Sequence, residues 1–219
     1  MADEVILLGF WYSPFVARVK IALAEKGAEY EYREDNLWDK SPLLLEMNPV
    51  KKQVPVLIRN GKPISESVII VQYIDEVWKN ESPILPFDPY KRAQARFWSD
   101  FVDNKIYTLG KKVWLSTGED REVAKSELVD GALKLLEGEL GDKPYFGGVR
   151  TFGLVDVSLI PFSSWFYGIE QWANISMEAE CPKLVDWVHR CMKRERVSKS
   201  IPDQHKLYDF FTETKKDWF

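Results

Sequence analysis

A serine followed by a proline, Ser13-Pro14, stands where a buried strand is expected to be followed by a helix. Residues 5–8 are continuously apolar, which predicts a strand buried on both faces. After a break at residues 9–12, Ser13 has the type preferred at a helix N-cap, and Pro14 would take the first helical position. A hydroxyl there can cap its own helix, or it can donate a hydrogen bond to an anion lying at the helix N-terminus. A thiolate is such an anion.

Two other chemistries are excluded or disfavoured at this position. Disulfide exchange needs a cysteine, and the two cysteines of the chain, Cys181 and Cys191, come far later in the sequence. A serine hydrolase is disfavoured because no Gly-x-Ser-x-Gly motif is present and both histidines lie in the last C-terminal helices. Capping and anion binding by Ser13 both stay open.

Two dipeptides are expected to extend the same site. In a thioredoxin-like layout the proline that precedes the third strand, here Pro55, is commonly cis and offers the backbone of Val54 to a ligand. Glu66 and Ser67 stand at another helix start, where they can hold the ammonium and carboxylate of an α-amino acid. A trans proline and an ordinary helix cap are the alternatives.

The elements that position these residues follow the order β-α-β-α-β-β-α. Short apolar runs alternate with helical spacing, and Asn60-Gly61 predicts a tight hairpin turn between the last two strands. The pattern predicts a thioredoxin-like α/β domain over residues 1–79. Three prolines in residues 80–89 predict a linker, and residues 90–219 carry helical periodicity throughout, which predicts an all-α bundle domain.

Composition excludes several classes of function. The net charge is −4 and neither half is basic, which argues against nucleic-acid binding. The longest apolar stretch, residues 152–169, is interrupted by Asp156 and Pro161, so it predicts a buried helix and no membrane span. Two histidines cannot supply a His-rich metal site, and two cysteines indicate a reduced compartment such as the cytoplasm. Nine tryptophans fit either a core or a pocket for flat apolar ligands.

The ordered set of motifs resembles the plant tau class of glutathione transferases over the whole chain. Any one of these motifs is weak, but their order is specific. They are FWYSPF at residues 10–15, ALAEKG at 22–27, NPV at 48–50, VPVL at 54–57, NGKP at 60–63, ES at 66–67, VQYIDE at 71–76, AQARFW at 93–98 and YFGG at 145–148.

The resemblance implies a set of glutathione contacts. Ser13 would hydrogen-bond the glutathione sulfur, and Val54, before a cis Pro55, would pair with the cysteinyl backbone. The γ-glutamyl end would be held by Glu66 and Ser67, and the glycyl carboxylate by Lys40. The class often has a lysine where this chain has Gln53, and the neighbouring Lys52 can compensate for the missing charge.

The resemblance also implies the reaction: conjugation of glutathione to hydrophobic electrophiles, with reduction of organic hydroperoxides as an additional activity. Glutathione would be the co-substrate, and no metal is expected. A non-catalytic carrier for flat hydrophobic molecules is the alternative. The electrophile site would be lined by Phe10, Phe15, Tyr107, Lys111, Trp114, Trp165 and Phe210. Tyr107, Lys111 and Trp114 have the spacing of one helix face, although Trp114 and Trp165 are also candidates for the core.

A homodimer is the last expectation that the resemblance carries. Glu76, before the linker, and Arg92 and Arg96, after it, would form its charged contacts. The alternative is an exposed helix face whose ion pairs contribute little to stability.

Overall fold

The computed structural model describes residues 4–79, 83–148 and 151–215. The chain forms two compact units, residues 1–85 and residues 86–219. Residues 80–82, which belong to the predicted linker, lie outside the described residues. Residues 83–88 of the predicted linker precede helix α4, which begins at Pro89, the last residue assigned to the linker.

The first unit has the predicted order of strands and helices and confirms a thioredoxin-like domain. Its elements are β1 (Val5–Gly9), α1 (Pro14–Glu25), β2 (Glu31–Glu34), α2 (Pro42–Met47), β3 (Val56–Arg59), β4 (Lys62–Ser65) and α3 (Ser67–Val77).

The four strands form one sheet in the order β2-β1-β3-β4. Strand β1 is parallel to β2 and antiparallel to β3, and β4 is antiparallel to β3. The register opposes Gly9 to Glu34, Leu8 to Val56 and Val56 to Ser65. The carboxyl ends of β1, β2 and β4 therefore lie at one end of the sheet, together with the start of β3.

The two central strands of the sheet, β1 and β3, are buried. Strand β1 is buried along its whole length, as its apolar run predicts. On one face Ile6 and Leu8 pack with Leu44 of α2 and with Val56 and Ile58 of β3. Helices α1 and α3 pack against each other.

A buried ion pair joins the end of α1 to the end of α3. Lys26 Nζ lies 2.7 Å from Asp75 Oδ1, and the two side chains are 1% and 10% exposed. The same carboxylate accepts hydrogen bonds from the backbone N–H groups of Ile84, at 2.8 Å, and Leu85, at 3.0 Å. Asp75 thus fastens the last residues of the first unit to the body of the thioredoxin-like domain.

The second unit is helical, as predicted. Two π-helical segments and one 3₁₀ segment interrupt its α-helices. The elements are α4 (Pro89–Phe101), a π segment (Val102–Tyr107), α5 (Thr108–Leu115), α6 (Gly118–Leu128), a second π segment (Val129–Leu133), α7 (Lys134–Leu140), α8 (Leu154–Leu159), the 3₁₀ segment (Ile160–Trp165), α9 (Phe166–Ala173), α10 (Met177–Glu180), α11 (Pro182–Met192), α12 (Glu195–Ser198) and α13 (Gln204–Thr214).

The core of the second unit is built around α8, every residue of which is buried. Asp156 is fully buried there and accepts hydrogen bonds from three backbone N–H groups, those of Phe146, Gly147 and Gly153, and from Trp187 Nε1. Burial raises the pKa of the Asp156 carboxyl, and these donors act in the opposite direction. Across the described ranges, no helix is both long enough and apolar enough to cross a membrane.

Candidate functional site

The residues predicted to bind one ligand emerge at the same end of the sheet. Ser13 follows β1, Lys40 follows β2, Val54 precedes β3 and Glu66 follows β4. Because the register places those strand ends side by side, four loops meet there. We call this region the sheet-end site; it comprises residues 10–13, 35–41, 53–55 and 65–67.

Ser13 caps helix α1 and is 7% exposed. Its Oγ accepts a hydrogen bond from Val16 N at 3.3 Å, and its own N–H donates to Phe10 O at 3.0 Å. A hydroxyl that accepts a bond through its oxygen keeps its proton as a donor. Capping and donation to an anion, which the sequence leaves as alternatives, are therefore compatible in one side chain. The first N–H groups of α1 add a positive helix terminus beside that donor.

The Val54-Pro55 peptide bond is cis, as expected for this layout. Asn48 is buried and holds the preceding loop through its side chain, which donates to Gln53 O at 2.9 Å and accepts from Lys51 N at 3.2 Å. Lys52 has a positive φ of 55°, and its side chain and that of Gln53 are exposed. The loop thus places Val54, which is half-buried, two residues before the start of β3.

Glu66 and Ser67 have roles at the start of α3 that differ from a simple cap. The predicted cap, Ser67, is the first helical residue, and the N-cap position belongs to Glu66, whose φ is 74°. Ser67 is 7% exposed, and its Oγ accepts a hydrogen bond from Arg18 Nη1 at 3.1 Å. The Glu66 carboxylate is exposed and lies 3.1 Å from Lys51 Nζ. Glu66 thus offers a carboxylate that pairs with an ammonium, and the next residue, Ser67, offers a hydroxyl held in place by Arg18.

Arg18 is a site residue that sequence reasoning misses. It lies inside α1, is 0% exposed and packs with its guanidinium 5.1 Å from the ring centroid of Phe15. A charged residue on the apolar face of a helix was the available signal, since arginine is almost never fully buried unless it has partners. Its bond to Ser67 fixes the orientation of that hydroxyl.

The loop between β2 and α2 carries Lys40, which is half-buried. The next residue, Ser41, caps α2 by accepting a hydrogen bond from Leu44 N at 3.1 Å. Lys40 therefore sits immediately before a helix whose start is fixed, at the same sheet end as Ser13.

The aromatic residues predicted to line an apolar site fall into buried and accessible groups. Phe10, Trp114 and Trp165 are buried, at 8%, 2% and 6% exposed. The other predicted lining residues are half-buried; they are Phe15, Tyr107, Lys111 and Phe210. Burial raises the pKa of the Tyr107 phenol, so this hydroxyl stays protonated.

Phe211 joins the tryptophans of the second unit and was not predicted. Its ring centroid lies 4.6 Å from that of Trp114 and 5.5 Å from that of Trp165, and the ring itself is buried. The signal was present, because Leu207 and Phe211 are four residues apart on α13 and both are buried. Trp114 and Trp165 therefore belong to an aromatic core, and Phe210 lies beside it with its ring 6.0 Å from that of Phe211.

The described residues contain neither a metal-ligand cluster nor an exposed cysteine. Within residues 4–79, 83–148 and 151–215, no three His, Cys, Asp or Glu side chains are grouped so that they could hold a metal ion. Cys181 and Cys191 are buried free thiols. Burial raises the pKa of Cys181 to about 12, which leaves it a protonated thiol at neutral pH.

Comparison with known families and structures gives one consistent result. The model of the glutathione S-transferase N-terminal domain matches residues 3–76, and that of the C-terminal domain matches residues 123–190. Glutathione S-transferase 3 of Glycine max is 58% identical, with 99% of this chain and 98% of that protein aligned.

Two solved structures of plant proteins share the whole architecture. Rice GST1, solved in complex with glutathione, has a TM-score of 0.95 and 43% identity, covering 100% of this chain and 99% of the rice chain. The tau-class glutathione S-transferase of mango, Mangifera indica, has a TM-score of 0.90 and 40% identity, covering 95% and 97% of the two chains. The sheet-end site described above lies in the domain that the N-terminal family model matches, and the chain belongs to the tau class of glutathione transferases.

Proposed function

We propose that Ser13 is the catalytic residue of this glutathione transferase and that it acts by donating a hydrogen bond from its hydroxyl to the thiolate sulfur of glutathione. The supporting observation is the position of its Oγ, which is buried at the N-cap of α1 and accepts from Val16 N. The cap therefore does not use the hydroxyl proton, which lies at the positive end of a helix. The glutathione thiol releases its proton to solvent, the thiolate attacks the electrophilic carbon of a hydrophobic acceptor, and the leaving group departs with its electron pair.

The magnitudes support this role without a general base. A free thiol has a pKa of about 8.5, so only a few per cent is thiolate at pH 7. Lowering that pKa by about two takes about 2.7 kcal/mol of preferential stabilisation of the anion. A hydrogen bond to a charged group contributes about 1.5–3 kcal/mol, and the helix terminus contributes about 0.3–1 kcal/mol. The two together reach the required value.

Glutathione is proposed to lie across the sheet-end site. The backbone of Val54, beside cis Pro55, pairs with the cysteinyl residue as an added strand edge. Glu66 takes the α-ammonium of the γ-glutamyl end, a role supported by its contact with the Lys51 ammonium, and Ser67 takes the neighbouring carboxylate. Lys40 contacts the glycyl carboxylate of glutathione. Lys52 and Gln53, in the loop before β3, supply the remaining contacts.

The electrophile is proposed to contact the accessible aromatic and basic side chains of the second unit. Tyr107, Lys111 and Phe210 are half-buried and so retain surface for a ligand. Trp114 and Trp165 would form the apolar wall behind them, because their rings are held by Phe211. This division predicts that truncating Tyr107 or Phe210 changes acceptor preference, whereas truncating Trp114 changes stability first.

The protein is further proposed to be a cytoplasmic homodimer. Glu76 and Arg96 are exposed, as residues that contact a second subunit would be in a single chain. Arg92 donates to two carbonyl groups of its own chain, Pro86 O and Phe87 O, which supports a structural contribution at the start of α4. Sedimentation of a monomer at micromolar concentration would refute the dimer.

Turnover tests the catalytic proposal. The wild-type protein and the variants Ser13→Ala and Ser13→Thr are retained on immobilised glutathione and then assayed with a panel of aryl halides and organic hydroperoxides. We expect Ser13→Ala to bind glutathione and lose most of its conjugation, and Ser13→Thr to keep part of it because it retains the hydroxyl. Near wild-type rates for Ser13→Ala would refute the role. Binding of flat hydrophobic anions with no turnover by the wild type would indicate the carrier function instead.

A further inference from the structure

Two consecutive acidic residues, the last residue of strand β2 and the one after it, contact two different loops of the sheet-end site. We propose that this acidic pair, Glu34 and Asp35, consists of positioning residues: Glu34 sets the turn that carries Ser13, and Asp35 sets the loop that carries Lys40. The proposal rests on the proposed function of Ser13 and Lys40. It assigns roles to two carboxylates that would not themselves contact glutathione.

Glu34 is bound to the turn between β1 and α1. Its Oε1 accepts a hydrogen bond from Trp11 N at 2.8 Å, and its Oε2 accepts one from the hydroxyl of Tyr32. The Tyr32 ring is in turn covered by Lys20, whose Nζ lies 3.7 Å from the ring centroid. One oxygen of the Glu34 carboxylate is therefore bound to Tyr32 of the sheet. The other oxygen binds the backbone N–H of Trp11, two residues before Ser13.

That turn has little room to move in the folded state. Ser13 N donates to Phe10 O at 3.0 Å, so residues 10–13 form one hydrogen-bonded turn and Trp11 lies inside it. A Cβ added at Gly9, where the turn begins, would lie 2.6 Å from a side-chain carbon of Val16. The Glu34 bond to Trp11 N thus completes a tightly packed turn whose last residue carries the catalytic hydroxyl.

Asp35 is bound to the other loop and is itself 5% exposed. Its backbone N–H donates to Gly9 O at 2.7 Å, which ties it to the end of β1. Its side chain accepts from Ser41 N at 3.2 Å and from the Ser41 hydroxyl. Since Ser41 caps α2 and Lys40 is the preceding residue, Asp35 fixes the backbone from which Lys40 projects.

The two carboxylates should therefore have separable effects on kinetics. Loss of the Glu34 contact loosens the thiol end of the site, so it lowers kcat and raises the pKa of the bound thiol. Loss of the Asp35 contact loosens the glycyl end, so it raises KM for glutathione and leaves kcat nearly unchanged. A misplacement of the order of an ångström in such a site costs about a hundredfold in rate, and we expect about tenfold for each loosened loop.

The sign of the thiol pKa separates positioning from simple charge. Removing a nearby negative charge lowers the pKa of a thiol, because the thiolate is no longer repelled. Removing a contact that aligns the Ser13 hydroxyl raises that pKa. Positioning by Glu34 therefore predicts a change in the direction opposite to the one that its charge alone would produce.

The experiment compares Glu34→Ala and Asp35→Ala with two matched controls. Glu31→Ala removes an exposed carboxylate from the same strand, and Glu46→Gln removes an exposed charge from helix α2, outside the sheet-end site. For each protein, kcat and KM for glutathione are measured with one aryl halide, and the pKa of the bound thiol is taken from the pH dependence of kcat/KM for the aryl halide at saturating glutathione. We expect Glu34→Ala to lose about tenfold in kcat with a raised thiol pKa, and Asp35→Ala to gain about tenfold in KM for glutathione. Both controls should match the wild type.

Two further variants keep the test decisive. Glu34→Gln retains an oxygen that can accept from Trp11 N, so it should recover much of the rate, and Ser41→Ala replaces Asp35→Ala if that protein does not fold. An unchanged or lowered thiol pKa in Glu34→Ala, or an unchanged KM in both Asp35→Ala and Ser41→Ala, overturns the proposal for that residue. A wild type whose rate equals that of Ser13→Ala in the same assay refutes the proposed function instead.

Discussion

The buried ion pair between Lys26 and Asp75 is a feature of the first unit whose removal should have a large effect on stability. The 2.7 Å contact joins side chains that are 1% and 10% exposed, so neither charge is well hydrated. Breaking a buried pair from one side costs about 3–5 kcal/mol, since the remaining charge stays buried without its partner. Asp75→Asn keeps one oxygen, so only one of the two N–H groups, of Ile84 or Leu85, retains its acceptor, and the ammonium of Lys26 is left uncompensated. We expect a loss of about 3–5 kcal/mol from the free energy of unfolding.

The double variant provides the internal check. Lys26→Met together with Asp75→Asn removes both charges and replaces the ammonium with an apolar chain of similar length. Replacing a buried pair by uncharged groups is often close to neutral, so the double variant should be more stable than Asp75→Asn alone. The single variants Lys26→Met and Asp75→Asn and the double variant form a double-mutant cycle. The difference between the double variant's loss of unfolding free energy and the sum of the two single losses measures the interaction between the two side chains.

The assay is urea unfolding at one fixed protein concentration, followed by far-ultraviolet circular dichroism. The midpoint should fall in Asp75→Asn with the slope unchanged. Lys183→Met is the matched control, because Lys183 Nζ lies 2.8 Å from Asp142 Oδ1 in a pair whose side chains are 54% and 96% exposed. That variant should show no measurable change, since solvent screens exposed pairs. Equal midpoints for Asp75→Asn and Lys183→Met would refute the reasoning.

Three further predictions follow from burial and close packing. Cys181 and Cys191 should be unreactive toward a disulfide reagent in the folded protein at pH 8, because both are buried and burial raises the pKa of Cys181 to about 12. Both thiols should react after unfolding, and a rapid reaction of either thiol in the folded state would contradict this. Gly9→Ala should lower stability by about 1–3 kcal/mol and reduce kcat, since the added Cβ would lie 2.6 Å from a side-chain carbon, and a wild-type melting temperature would contradict it. Arg18→Met should weaken glutathione binding about tenfold by calorimetry, because it frees the Ser67 hydroxyl, and an unchanged Kd would show that this bond is not used.

Local patterns in the sequence were sufficient for most of the fold. The apolar run of β1, the Ser-Pro helix starts at Ser13 and Ser41 and the Asn60-Gly61 turn each specify a conformation through nearby residues alone. Gly27, with φ of +60°, lies just past the end of α1 in the left-handed conformation that glycine favours. The order of strands and helices follows from such signals because each one depends on only a few neighbouring side chains.

The π-helical segment Val102–Tyr107 was beyond this reasoning. The apolar stripe from residue 97 to residue 114 reads as one continuous helix, and neither proline nor glycine marks the interruption between α4 and α5. A π turn depends on how the helix packs against its neighbours. Periodicity along one chain does not contain that packing.

The candidate site was predictable where function is carried by residue type and unpredictable where it depends on long-range bonds. Ser13 and Glu66 are distinctive in their local sequence. Arg18 becomes a site residue only through Ser67, which is 49 positions away, and Glu34 only through Trp11, 23 positions away. Such partners are set by sheet register and helix packing, which no single segment encodes.

The most direct test of the central claim is the pKa of the glutathione thiol when it is bound to the protein. It is measured by titrating the thiolate absorbance in the wild type and in the Ser13→Ala and Ser13→Thr variants at saturating glutathione. We predict a pKa of about 6.5 in the wild type, a value near 8.5 in Ser13→Ala and an intermediate value in Ser13→Thr. Equal thiol pKa values in the wild type and Ser13→Ala would contradict the assignment of Ser13 as the residue that stabilises the thiolate.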